Sequence, residues 1–213
     1  MDPIVIGVIA IVIVLIGLAI AIALRGAGRP AEFQAIIKSW GEVAKRASLK
    51  FTAPETDLAQ AQLAGSFHRR EVAISLRVHA LIGASGDRQT IMYTQIHGST
   101  RNSLRHFIRI SKKGAYRKTD RMLGAPYESM HDAEIDRRFD VKCIPPGVAA
   151  RAIAASPEFR KRLLNVKVGG YVELEVEGTD IRFEQEGLIL DAAYLMGLLE
   201  LMNASAEAVE QVK

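Results

Sequence analysis

Cysteine is nearly absent: Cys143 is the only one in 213 residues. A lone thiol excludes a disulfide within the chain and any metal centre built on paired thiolates. The ordinary place for such a residue is as a small buried hydrophobe on a strand. Motifs that carry common chemistry are missing as well. No Gly-x-Gly-x-x-Gly follows a strand, no phosphate loop ends in Gly-Lys-Ser/Thr, and neither His-Glu-x-x-His nor Gly-x-Ser-x-Gly occurs. The histidines, His68, His79, His97, His106 and His131, show no i,i+4 spacing and no neighbouring ligand at a metal-type interval. Strand alternation still leaves a spatial histidine cluster open. No cofactor, metal or catalytic residue is assigned from the sequence.

Charge is missing from the start of the chain. Pro3 to Leu24 reads PIVIGVIAIVIVLIGLAIAIAL, 22 residues without an ionisable side chain. At about 1.5 Å per residue, a helix of that length spans the roughly 30 Å hydrocarbon core of a bilayer. A signal peptide would begin with basic residues and carry a shorter apolar core. Here Met1-Asp2-Pro3 precedes the run, although Ala21-Ile22-Ala23 has the small-x-small form of a cleavage site. A soluble helix would keep a polar stripe, which this run lacks. Residues 1–24 therefore read as a transmembrane anchor, 25–30 as a linker and 31–213 as a soluble domain, with the lipid bilayer contacted through residues 3–24. Asp2 lies before the span and Arg25, Arg29, Lys38, Lys45 and Arg46 after it. Positive flanks stay on the cytoplasmic side. The expected placement is a single-pass protein of the cell membrane, N-terminus outside and domain cytoplasmic. Without an ionisable group, the span offers no proton relay, ion site or haem ligand, and it reads as a tether.

The remainder alternates between helical and strand patterns. Phe33, Ile36, Ile37, Trp40, Val43, Ala44 and Ala47 recur at helical spacing within 31–48. Trp40, the single tryptophan, suits a core anchor for that helix, and an interfacial position near lipid headgroups is the alternative. Strands are expected at 63–68, 71–80, 89–97, 104–112 and 135–144, with a turn at 83–87. A Pro-led helix follows near 147–164, divided at Pro157 with Ser156 as N-cap. A hairpin of 166–177 and 180–185 and an apolar helix of 188–212 complete the chain. This order argues for an α+β fold, a largely antiparallel sheet packed by about three helices.

Polar chemistry is concentrated in charge segregation. Arg101, Arg105, Arg109, Lys112, Lys113, Arg117, Lys118 and Arg121 fall in 21 residues with one acid, Asp120. A solvated surface, anionic lipid headgroups and nucleic acid are the competing explanations. The absence of a ribonucleoprotein or helix-turn-helix pattern argues against nucleic acid. Glu173, Glu175 and Glu177 line one face of a strand. Asp132, Glu134, Asp136 and Asp140 cluster around Arg137-Arg138, which suits salt-bridged solvation better than acid–base chemistry. The last helix exceeds a single apolar stripe. It either lies across the sheet with both flanks covered or presents Tyr194, Leu198, Leu201 and Met202 to a partner.

Several short segments carry a resemblance. SWGEVAKRASLKF, LAGSFHRREVAISL, Tyr93-Thr94, RRFDVKCI, the Pro-led helix and the apolar last helix together resemble a group of uncharacterised bacterial single-pass membrane-anchored α+β domain proteins. The resemblance implies architecture and brings no catalytic residues. The reading that follows is a membrane-anchored, non-enzymatic interaction protein, an accessory or scaffold subunit of a membrane complex that binds a membrane-protein partner or its own copies. A peripheral binder of anionic surfaces through 101–121 is the alternative. An enzyme with a dispersed site is a third. A C-terminal reporter active only in the cytoplasm is expected to function on the full chain; activity from a periplasm-only reporter instead would reverse the orientation.

Overall fold

Helix α1, Ala31–Ala47, forms on the expected periodicity and buries Phe33, Ile36, Trp40, Val43, Ala44 and Ala47 along one side. It opens the part of the chain that the computed structural model describes: residues 31–82, 88–101, 105–114 and 126–212, without the side chains of 80–82, 88 and 89. The anchor segment 3–24, the turn at 83–87 and Arg117, Lys118 and Arg121 lie outside the described residues. Among described residues, no helix is long and apolar enough to cross a membrane.

The strands are β1 (Lys50–Thr52), β2 (Gln62–Phe67), β3 (Arg70–Ile82), β4 (Arg88–Ser99), β5 (Phe107–Lys112), β6 (Phe139–Ile144), β7 (Val172–Glu177) and β8 (Asp180–Glu186). The other helices are α2 (Ala133–Arg138), α3 (Val148–Ala155), α4 (Pro157–Leu164) and α5 (Ala192–Gln211), and a 3-10 turn spans Leu58–Gln60. The eight strands among the described residues form one antiparallel sheet, ordered β1-β2-β3-β4-β8-β7-β5-β6. The α+β expectation holds. Chain order does not survive between β4 and β5, because the late hairpin β7–β8 inserts between them. Its turn closes on Gly178, whose φ of +60° suits a residue without Cβ. The β2–β3 turn instead uses His68 and Arg69 at φ 49° and 63°, one residue earlier than the sequence pattern places it.

Alternation divides the sheet into two chemistries. Val72, Ile74, Ile96, Ile108, Ile110, Leu174, Ile181 and Phe183 are buried on one face, and α1, α3, α4 and α5 form the layer over it. Trp40 is fully buried and donates from Nε1 to the Ile189 carbonyl at 3.1 Å. Ile189 in turn donates its N–H to Thr94 Oγ1 (3.1 Å), and that hydroxyl donates to the Gly187 carbonyl (2.8 Å). Trp40 is thus the core anchor, and the headgroup alternative is removed. Arg70 opens β3 and pairs with Glu210 near the end of α5 at 2.7 and 2.8 Å, its side chain 3% exposed.

Three of the boundaries that differ from the sequence reading have a visible cause. The expected strand 135–144 begins as helix α2, because Asp132 caps it by accepting from Glu134 and Ile135 N–H. Residues 166–171 do not extend β7. Arg138 holds the carbonyls of Leu164 and Val166, and Tyr194 Oη accepts from Lys167 N–H, so side chains satisfy backbone groups that a ladder would otherwise need. The last helix starts at Ala192, capped by Asp191 accepting from Tyr194 N–H at 3.0 Å.

Trp40→Ala is expected to cost about 3–5 kcal/mol in urea denaturation. Trp40→Phe keeps a ring but leaves the Ile189 carbonyl unpaired, and its cost is expected nearer 1–3 kcal/mol.

Candidate functional site: the polar face of the sheet

The second face of the sheet carries the side chains that alternate away from the core. Neighbouring strands place Gln95, Glu184 and Glu173 in one row and His97, Arg182, Glu175, Arg109 and Lys142 in the next. Arg109 donates to Glu175 Oε2 through Nη2 (2.6 Å) and Nε (3.0 Å), and Arg182 Nη2 holds Glu175 Oε1 at 2.8 Å. Glu173 lies 3.6 Å from Arg109 and 3.7 Å from Arg182. Glu184 accepts from Gln95 Nε2 at 3.3 Å. Three carboxylates thus stand with three cations, Arg109, Arg182 and Lys142, on one face. Glu173, Glu184 and Lys142 are buried. Charges this desolvated persist only when paired, which fixes their geometry.

Beside this ladder runs a groove of about 510 Å³ bordered by Ser66, Glu71, His97, Ser99 and Asp180. It adjoins a cavity of about 240 Å³ lined by His97, Glu175, Glu177, Asp180 and Arg182. His97 therefore stands between the two spaces. Burial, and next the Arg182 cation, push its pKa below the ordinary imidazole value. No described group of His, Cys, Asp and Glu could hold a metal ion.

The sequence candidates fare differently. Strand alternation placed Glu173, Glu175 and Glu177 on one face, and two of them belong to the ladder. The basic stretch is divided. Arg101 and Arg105 are exposed before β5, Arg109 is consumed by Glu175, and Lys112 and Lys113 at the far end donate to the carbonyls of Gly169 and Asp136. The described members form no continuous basic surface. Leu198, Leu201 and Met202 are 2%, 0% and 2% exposed. Tyr194 is half-buried and donates from its hydroxyl to Gln185 Oε1 at 2.7 Å. α5 packs against β4, β8, α1, α3 and α4, so its apolar circumference is spent inside the molecule. Leu198, Leu201 and Met202 are thus covered within the chain, while Tyr194 keeps part of its ring exposed.

The remaining clusters are structural. Asp132 caps α2 and pairs with Arg160, and Asp136 accepts from Ser129 Oγ and Met130 N–H. Asp140 accepts from Gly114 N–H. Cys143 is buried and donates to Glu128 Oε2 at 3.0 Å, with its thiol pKa pushed up by burial. At the centre of the polar face stand His97, named from the sequence only as a histidine that a pocket could gather with carboxylates, and Arg182, which was not singled out. They lie on strands whose adjacency follows only from the insertion of β7–β8.

The geometry defines a class: an α+β protein with one helix-covered antiparallel sheet whose other face is a rigid charge-paired surface beside a groove. This fold is shared with a solved structure, the mycobacterial trehalose monomycolate transport factor A, TtfA. The two agree with a TM-score of 0.57 over 84% of this chain and 97% of that one, at 11% sequence identity. At that identity the likeness shows the fold alone. No protein-family model and no curated protein matches the chain.

Because His97 is depressed in the folded chain, the unfolded chain binds more protons once pH falls below about 6.5. The stability present above that pH is lost as pH falls further. His97→Gln is expected to reduce the drop in melting temperature between about pH 7 and pH 5. An unchanged drop would show that His97 does not titrate on folding.

Proposed function

We propose that this chain is a membrane-tethered, non-catalytic accessory protein of a membrane assembly, with segment 3–24 as the tether and the polar sheet face as the surface offered to a protein partner. The observation that carries the reading is the ladder of Glu173, Glu175 and Glu184 with Arg109, Arg182 and Lys142. Glu173, Glu175, Arg109 and Arg182 hold one another in place, Glu184 is held by Gln95 and Lys142 lies over the Tyr127 ring, so the face presents a fixed charge pattern beside an open groove. Such patterns select partners and set register. Both oxygens of Glu175 already accept from Arg109 or Arg182, so this carboxylate is engaged in holding the surface and not free to meet a substrate. The fold shared with a transport factor supports an accessory role, the uncharged span supports a tether, and the basic residues that follow it support a cytoplasmic face.

Glu177, at the cavity, and Asp180, which borders both cavity and groove, are exposed, and their side chains make no hydrogen bond or ion pair with a described residue, although the Asp180 charge acts on His97. Reversing both to Arg therefore leaves the core and ladder intact. Full chain extracted from native membranes in mild detergent is expected to co-purify with a membrane protein. The double reversal is expected to reduce recovery about tenfold or more, equivalent to about 1.4 kcal/mol. Behaviour of the native chain as a lone monomer would refute the accessory role.

A further inference from the structure

Strands β3 and β4 are much longer than their neighbours. β2 pairs with β3 only at Arg70–Ser75, and β8 pairs with β4 only at Thr94–Ser99. The hairpin continues, paired residue by residue, to Ile82 opposite Arg88. The loop after β8 still touches β4 at Met92 and Tyr93. Beyond these contacts, Val78–Ile82 and 88–91 pair only with each other among the described strands. From Leu76 to Ile82 the arm extends about 20 Å. A lone two-stranded ribbon is marginal in water, and its free edges invite association. The arm is therefore a feature that needs covering.

Its composition narrows the cover. Val78 is 43% exposed although it continues the core-facing row of Ile74 and Leu76. Ile91 and Met92 are half-buried and Arg77 is exposed. No Asp or Glu occurs from Val72 to Gly86 or from Arg88 to Thr119, while Arg77 and Arg88 add positive charge. Asp87, in the segment joining the two strands, is the one acid from Val72 to Thr119. Apolar residues mixed with an excess of cations match the boundary of an anionic bilayer.

The position of the arm points the same way. Leu49, just past the end of α1, lies against Gly65, which pairs with Val72. Trp40 meets Ile189, which is bound to Thr94, opposite Leu76. Passing backwards along α1 from Leu49 to Trp40 thus moves from the level of Val72 to that of Leu76, the direction in which the arm projects. Nine residues further, about 13 Å, lies Ala31. Residues 25–30 join there to the uncharged segment 3–24. The arm thus projects toward the end of the molecule at which α1 begins.

We infer that the β3–β4 arm is a second membrane contact, seating Val78, Ile91 and Met92 at the headgroup–acyl boundary with Arg77 against anionic headgroups, and so fixing how the polar face is oriented above the bilayer. The inference rests on the tether reading. Its test uses the full chain in phosphatidylcholine–phosphatidylglycerol vesicles, with an environment-sensitive fluorophore on Val78→Cys or, separately, Met92→Cys. Cys143 is buried, and the chain without an added cysteine sets the labelling background. Brominated lipids are expected to quench either position about threefold or more above a label on Thr179→Cys. Thr179 lies in the exposed β7–β8 turn, at the opposite end of the sheet. Adding Arg77→Glu is expected to return quenching to the control level. Quenching no greater than at Thr179 overturns the inference. So does a label shielded from aqueous iodide only after native membrane protein is added, which would assign the arm to a protein partner. Alkaline carbonate extraction of the same vesicles reads the tether separately: retention without arm quenching defeats the arm alone, and extraction with prior quenching defeats the tether alone.

Discussion

Helix α5, laid over β4 and β8 and flanked by α1, α3 and α4, is the contact on which the rest of the structure depends. Ten of its residues are buried, from Leu195 to Val209. Each large apolar side chain there contributes on the order of 1.5–3 kcal/mol by leaving water. The helix is pinned at both ends. Asp191 caps its start, and Glu210 near its end grips Arg70 at the start of β3 and accepts from the Arg101 N–H at 2.5 Å. One helix thereby ties the root of the long hairpin to the strand inserted late in the chain. The Arg70 cation holds the Glu210 carboxyl below its ordinary pKa, so this clasp weakens only in acid.

With one face of the sheet committed to α5 and its flanking helices, strand alternation dictates the composition of the other. Every residue between two core positions must face away, and in β7 and β8 those residues are Glu173, Glu175, Arg182 and Glu184. Desolvated charge is tolerable only in pairs, and pairing demands that opposite charges sit on adjacent strands. The insertion of β7–β8 between β4 and β5 meets that demand by bringing Arg109 alongside Glu175 and His97 alongside Arg182. The charge ladder and the topology are therefore one constraint seen from two sides. The result is a stiff polar surface on a sheet whose longest hairpin projects beyond it, an arrangement suited to orienting one surface relative to another.

Much of the fold was legible in the sequence. The α1 stripe, the Ser156 cap before Pro157, the β7–β8 turn and the α+β class rest on local periodicity and turn chemistry, which act over a few residues. Errors fell where side chains from elsewhere took over backbone hydrogen bonds. Arg138 and Tyr194 delayed the start of β7 to Val172, and nearer by, the Asp132 cap converted the start of an expected strand into α2. The candidate site was harder to read, for the same reason at longer range. Tyr194, Leu198, Leu201 and Met202 look surplus to one helical stripe until three flanking helices are in place. Arg109 looks like part of a basic surface until Glu175 is beside it.

By itself, the sequence determined the uncharged span, the two alternations of strand and helix, the lack of paired cysteines and the separation of basic from acidic segments. These are properties of neighbours along the chain. Only the tertiary structure decided which strands touch, and hence which charges cancel, which apolar side chains are covered and which end of the long hairpin is left without a flanking strand among the described residues. Sheet order is set by contacts between residues as far apart as Arg109 and Glu175 or His97 and Arg182. Such contacts form only once a shared core makes their pairing worth the loop entropy and desolvation that they cost.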